Sequence, residues 1–186
     1  AIGEGQPLGN TISFGGPHLG FIGVSKKLMR KLPGRIVGET LDLDGKRAFT
    51  LTLQAREQHI RRGKATSNIC SNQAINALMA TIYMATMGKE GLVEVAGQSA
   101  KRAAYLRKQL LATGKVKAGN DHPFFREFVV ELPKPAKEVN QLLLENGLIG
   151  GYALTGDKEN QMILCATEKR TKDEMDHLVR VMEAIL

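Results

Sequence analysis

The order of apolar patterns in residues 121–186 constrains the fold most strongly. Phe128, Val130 and Leu132 recur at every second position, the spacing of a strand with one buried face. Pro133 and Pro135 stop that strand and open a helix carrying Val139, Leu142 and Leu143, which Gly147 closes. Residues 148–154 and 162–166 read as two further strands around Gly156-Asp157. Thr171 followed by Glu174 is a capping box, and the helix it opens carries Met175, Leu178, Val179, Met182 and Ile185 on one face. Strand, helix, strand, strand, helix predicts an antiparallel sheet covered by helices, a small α+β domain.

Upstream, residues 74–87 are nearly apolar, broken only by Asn76, Thr81 and Thr86. That run is too short to span a bilayer and predicts a helix over about 72–87, buried on most sides and stopped by Gly88. A second helix is expected over 90–113, with Leu92, Ala96, Ala103, Leu106 and Leu110 at helical spacing and Gly114 at its end. Gly3, Gly5, Pro7 and Gly9 make the first ten residues loop-like, a start that suits a piece of a longer chain. Residues 11–14 and 19–24 read as short extended runs around Gly15-Gly16-Pro17-His18. Ser25 is placed to cap a short basic helix ending before Pro33-Gly34. Residues 41–43 and 47–51 flank Asp44-Gly45, a two-residue hairpin signal, and residues 54–64 read as a basic helix.

Charge is concentrated in one place. Residues 25–64 hold eleven Lys and Arg against four Asp and Glu, so this segment carries the whole net charge of +7. It suits an anionic partner, or it is a solvated face with its counter-charges elsewhere. Aromatic residues are only 5 %, tryptophan is absent and no nucleic-acid motif is present, which argues against a basic nucleic-acid-binding module. His18, His59, His122 and His177 are scattered without ligand spacing, so no metal site is expected. Cys70 and Cys165 form no CxxC and read as reduced core thiols of a cytoplasmic protein.

The triplet Thr66-Ser67-Asn68 sits, on this reading, just before a helix, with Arg61, Arg62 and Lys64 upstream. It can be a capping loop, or it can offer hydroxyls and free N–H groups to an anion. The cluster Glu168-Lys169-Arg170 joins the last strand to the last helix and reads as a solvated connector or a cleft edge.

Three stretches carry a family resemblance. They are Gly3-Glu4-Gly5-Gln6-Pro7-Leu8-Gly9-Asn10 with Ser13-Phe14-Gly15-Gly16-Pro17, the run REQHIRRGKATSNICSNQAIN from Arg56, and Thr167-Glu168-Lys169-Arg170. Together they resemble glycine dehydrogenase (decarboxylating), the P-protein of the glycine cleavage system, and within it the C-terminal part of subunit 1 of the two-subunit form. The resemblance implies an α/β chain of the fold type I pyridoxal-phosphate-dependent transferase class. Residues 1–120 would then end the large domain and residues 121–186 would form the small α+β domain. It implies decarboxylation of glycine and transfer of the aminomethyl group to the lipoylated H-protein, in a cytoplasmic heterotetramer with subunit 2, with no membrane or nucleic-acid partner. Without its N-terminal part, such a chain should expose apolar surface.

In the catalytic subunit of that family a lysine near the Gly-rich stretch holds the cofactor aldehyde covalently. The comparable Gln6-Pro7-Leu8-Gly9 has no lysine, and the nearest, Lys26, lies on the short basic helix. The resemblance therefore implies a chain with no catalytic residue of its own, inactive alone. Thr66 and Ser67 would reach the phosphate of pyridoxal phosphate bound by the partner subunit. A subunit of another fold type I enzyme is the rival within the class. The missing lysine and the Thr66-Ser67-Asn68-Ile69-Cys70 run argue against it.

Overall fold

The computed structural model describes residues 1–69 and 72–186, without the Phe14 side chain, and Cys70 lies outside the described residues. The chain forms two compact units, Ala1–Thr86 and Met87–Leu186.

The first unit is built from two small antiparallel pairs. Strand β1 (Ile2–Glu4) pairs with β2 (Gly20–Ile22), Ile2 opposite Ile22. The opening residues thus hold a strand where loop was expected, because a three-residue strand is too short to show a period. Residues 11–14, expected to be extended, instead enter a 3-10 turn at Ser13–Gly15. A 3-10 turn over Lys26–Lys31 takes the place of the short basic helix, and Ser25 makes no side-chain capping bond.

Strands β3 (Ile36–Leu41) and β4 (Arg47–Thr52) form the expected hairpin, with Leu41 opposite Arg47. Its connection is wider than two residues. The Asp42 carboxylate accepts from the backbone N–H of Asp44 at 2.9 Å and of Lys46 at 2.8 Å, folding the loop on itself. The expected basic helix over 54–64 breaks into a 3-10 turn (Gln54–Arg56), one helical turn α1 (Gln58–Arg61) and a second 3-10 turn (Arg62–Lys64). Leu53 and Arg62, both at φ +52°, mark the breaks. The segment offers only Ala55 and Ile60 as an apolar face, too little burial to hold a continuous helix.

Helix α2 (Ala74–Ala112) carries both expected helices, with Gly88 at φ +63° and ψ −177° between them. Those dihedrals lie outside any helix and suit only glycine. In the first unit Ala80 and Asn76 are buried, while Ile75, Leu78, Met79 and Ile82 are exposed. This corrects the expectation of burial on most sides, and it matches the apolar exposure expected of a partial chain.

The second unit follows the sequence pattern closely. Strands β5 (Lys117–Ala118), β6 (Glu127–Glu131), β7 (Tyr152–Ala153) and β8 (Gln161–Cys165) make an antiparallel sheet in the order β5-β6-β8-β7. Phe128 lies opposite Leu164 and Val130 opposite Met162, so one face presents four apolar side chains. Helices α3 (Ala136–Glu145) and α4 (Lys172–Ile185) contribute Val139, Leu143, Met175 and Met182 to the core, and α2 contributes Ala103, Leu106 and Leu110. Each large side chain buried there contributes about 1.5–3 kcal/mol. The capping box forms as read: the Thr171 hydroxyl accepts from Glu174 N–H, and the Glu174 carboxylate accepts from Thr171 N–H at 2.7 Å. Cys165, expected in the core, ends β8 and is exposed. Burial of its thiol and the nearby Glu127 carboxylate still hold its pKa above the ordinary value. Among the described residues no helix is long and apolar enough to cross a membrane.

Candidate functional site

The segment from Leu53 to Thr66 curls back on itself. The left-handed turn at Leu53 starts the curl and the one at Arg62 redirects it. It closes where Thr66 N–H donates to the Arg56 carbonyl at 3.3 Å. The curl and the Lys26–Lys31 turn enclose an open cleft of about 430 Å³, lined by Arg30, Leu53, Gln54, Ala55, Arg56, Arg61 and Thr66. Three arginines and one threonine therefore line one space, and no Asp or Glu does. Guanidinium forks match the oxygens of a phosphate or carboxylate.

The three arginines differ in their ties. Arg30 and Arg61 are exposed and, among the described residues, have no acidic partner. Arg56 is committed to the protein. Its guanidinium donates to the carbonyls of Leu32 and, at 2.7 Å, of Gly34, and it pairs with the Glu57 carboxylate at 3.2 Å. The two paired side chains are only 10 % and 14 % exposed, so removing either leaves a poorly solvated charge.

The structure changes the setting of Thr66-Ser67-Asn68. Helix α2 begins at Ala74, and the Asn72 side chain, just before it, accepts from Ala74 N–H at 3.1 Å. The triplet therefore does not sit at a helix N-terminus. Thr66 lines the cleft and Ser67 does not; the Ser67 hydroxyl oxygen accepts from Ile69 N–H at 3.3 Å. The uncompensated positive charge beside Thr66 comes from Arg30 and Arg61, since Glu57 pairs with Arg56. The sequence places Arg61 nearby; Arg56 opens the run that carries the family resemblance but has no role assigned there, and Arg30 is signalled only by the basic run of residues 25–64.

The stretch that lacks a lysine is rigidly stitched. The Gln6 side-chain amide donates to the carbonyls of Thr11 at 3.0 Å and Gly16 at 2.6 Å. Glu4 accepts from Gln6 N–H and Leu19 N–H, both at 2.8 Å, and the Leu19 bond above all lowers the Glu4 carboxyl pKa. Gly9, at φ +86°, packs on Tyr83, where a Cβ would lie 2.5 Å from the tyrosine Cβ. Asn10 donates to the Asn76 carbonyl at 3.3 Å, and Asn76 donates to the His18 carbonyl at 3.2 Å and to Gln73 at 2.7 Å. Side-chain amides thus brace this stretch, and no lysine lines the arginine cleft. The donor set suits an anion such as a phosphate.

At the other polar cluster, Arg102 donates to the carbonyls of Glu168 and Arg170, and the Ser99 hydroxyl donates to the Glu168 carboxylate at 3.2 Å. Glu168-Lys169-Arg170 is a connector strapped to α2. No group of His, Cys, Asp and Glu among the described residues could hold a metal ion.

Comparison with known proteins bears on the family and the fold. A family model described as glycine cleavage system P-protein matches residues 1–182. A Shouchella clausii protein named probable glycine dehydrogenase (decarboxylating) subunit 1 is 52 % identical over 188 residues, covering 100 % of this chain and 42 % of that protein. A crystal structure of inhibitor-bound glycine decarboxylase (P-protein) of the glycine cleavage system superimposes with a TM-score of 0.94 at 43 % identity, over 100 % of this chain and 43 % of the other. The cystine C-S lyase C-DES, in a form with glycine covalently linked to its PLP cofactor, shares the fold alone. Its TM-score is 0.51 at 15 % identity, over 77 % of this chain and 35 % of that one. The fold is that of the fold type I pyridoxal-phosphate enzymes, and the chain spans under half the length of the curated relatives it matches.

Proposed function

We propose, for a chain that belongs to the glycine cleavage system P-protein family, the role of a non-catalytic part of subunit 1 of glycine dehydrogenase (decarboxylating). In this reading the chain is inactive alone and completes a site whose covalent anchor lies on subunit 2. Residues 1–120 end the large domain, residues 121–186 form the small one, and the complex works in the cytoplasm.

One observation carries the reading. A cleft lined by the unpaired Arg30 and Arg61 and by Thr66 suits an anion, yet neither the cleft nor the Gln6-Pro7-Leu8-Gly9 stretch offers a lysine. Pyridoxal phosphate bound at the completed site supplies the electron sink that makes loss of carbon dioxide from glycine feasible. This chain's part is binding and orientation. Thr66 donates its hydroxyl to the phosphate, and Arg30 and Arg61 set the positive field that holds it. Ser67, whose oxygen accepts from Ile69 N–H, is a weaker second donor. The basic surface of residues 25–64 also suits an acidic face of the lipoylated H-protein, which takes the aminomethyl group.

Co-expression of the full-length subunit with its lysine-bearing partner tests the role. Exchange of labelled carbon dioxide into the glycine carboxyl should need both subunits. Full exchange by either subunit alone would overturn it.

A further inference from the structure

Arg56 holds two walls of the cleft at once. Through its side chain it binds the carbonyls of Leu32 and Gly34, directly after the turn that carries Arg30. Through its own carbonyl it accepts from Thr66 N–H. Arg30 and Thr66 are far apart in sequence, and Arg56 joins the segment of each. Glu57 neutralises the guanidinium from the adjacent position. A buried charge is a costly way to fill space, and an apolar side chain would pack there more cheaply. A guanidinium differs in being planar and rigid, with donors for two carbonyls and a carboxylate together. Lysine, with one flexible point charge, cannot span the same three acceptors.

We propose that Arg56 is a positioning residue. It fixes the distance between Thr66 and Arg30 across the cleft, and so sets how tightly the assembled enzyme grips the phosphate of its cofactor. This rests on the reading that Thr66 meets that phosphate. Arg56 acts through Thr66 and Arg30 and touches no ligand, so its loss weakens phosphate recognition without altering the chemistry of a saturated site.

The test is the affinity ratio of pyridoxal 5′-phosphate over pyridoxal for the two-subunit enzyme stripped of cofactor. It is measured by fluorescence titration for the natural protein, Arg56→Lys, Thr66→Ala and the double variant. A merely structural residue lowers both affinities alike and leaves the ratio unchanged. Arg56→Lys should lower the ratio about tenfold or more, by weakening the phosphate form alone. The double variant should be no worse than Thr66→Ala, because both changes act through one contact. If Thr66→Ala lowers the ratio and Arg56→Lys does not, the Arg56 proposal fails and the Thr66 reading stands. If Thr66→Ala leaves the ratio unchanged, both fall. Should Arg56→Lys not assemble, Arg56→Gln takes its place. If neither assembles, Arg56 serves the fold and the proposal is wrong.

Discussion

Thr66 and Ser67 are adjacent hydroxyl residues in different surroundings. Thr66 lines the arginine cleft, and the tie to Arg56 runs through its backbone N–H. Thr66→Ala keeps that tie and deletes the hydroxyl and γ-methyl of an exposed side chain, so folding stability should change by less than about 0.5 kcal/mol. A hydrogen bond from a hydroxyl to a charged phosphate is worth about 1.5–3 kcal/mol. At 1.4 kcal/mol per factor of ten, cofactor affinity should fall about 10- to 150-fold. Ser67→Ala removes the acceptor of the Ile69 N–H and so loosens the loop. Its cost should appear mostly as stability, about 0.5–1.5 kcal/mol, with cofactor affinity falling less than about 5-fold. Both quantities come from the assembled, cofactor-stripped enzyme, by titration with pyridoxal 5′-phosphate and by thermal melting. Equal losses of affinity in the two variants, or none in Thr66→Ala, would refute the assignment.

Three further outcomes follow from the same structure. Leu110 is fully buried among the sheet and helices of the second unit, so Leu110→Ala should cost about 2–5 kcal/mol in urea unfolding. The Glu4, Glu174 and Asp176 carboxyls are held below their ordinary values, by Leu19 N–H, Thr171 N–H and the Lys172 ammonium respectively. A carboxyl with a lowered folded-state pKa gives stability that is present above its unfolded value and lost as pH falls through the folded one. The melting temperature should therefore hold at neutral pH and drop below the ordinary values of 4.5 for glutamate and 3.8 for aspartate. Glu174→Gln should flatten part of that drop. Association with H-protein, if residues 25–64 face it, should weaken steeply between 50 and 300 mM salt, roughly as screening shortens the Debye length from over 10 Å to under 6 Å. Salt-independent binding would move the contact elsewhere.

The second unit was legible because its pattern and its packing coincide. Alternation at Phe128, Val130 and Leu132, prolines at 133 and 135 and the Thr171–Glu174 box each state a local rule that burial then rewards. Strand β5, two residues long, carried no period to read. The first unit was less legible. Its strands β1 and β2 are too short for alternation, and its basic segment follows carbonyl-capping arginines and left-handed turns that no periodicity announces. The missing lysine could be read directly, as could Thr66, through resemblance. The company Thr66 keeps could not. Arg30 and Arg56 reach the cleft by way of a 3-10 turn and a curled loop, so only three dimensions bring them together.

The central claim is that this chain lends groups to a cofactor it cannot hold covalently. Borohydride reduction of the assembled two-subunit enzyme, followed by peptide mapping, tests it most directly. The reduced pyridoxyl group should map to a single lysine of the partner subunit, with every lysine between Lys26 and Lys172 of this chain unlabelled. A stoichiometric adduct on any lysine of this chain would contradict it.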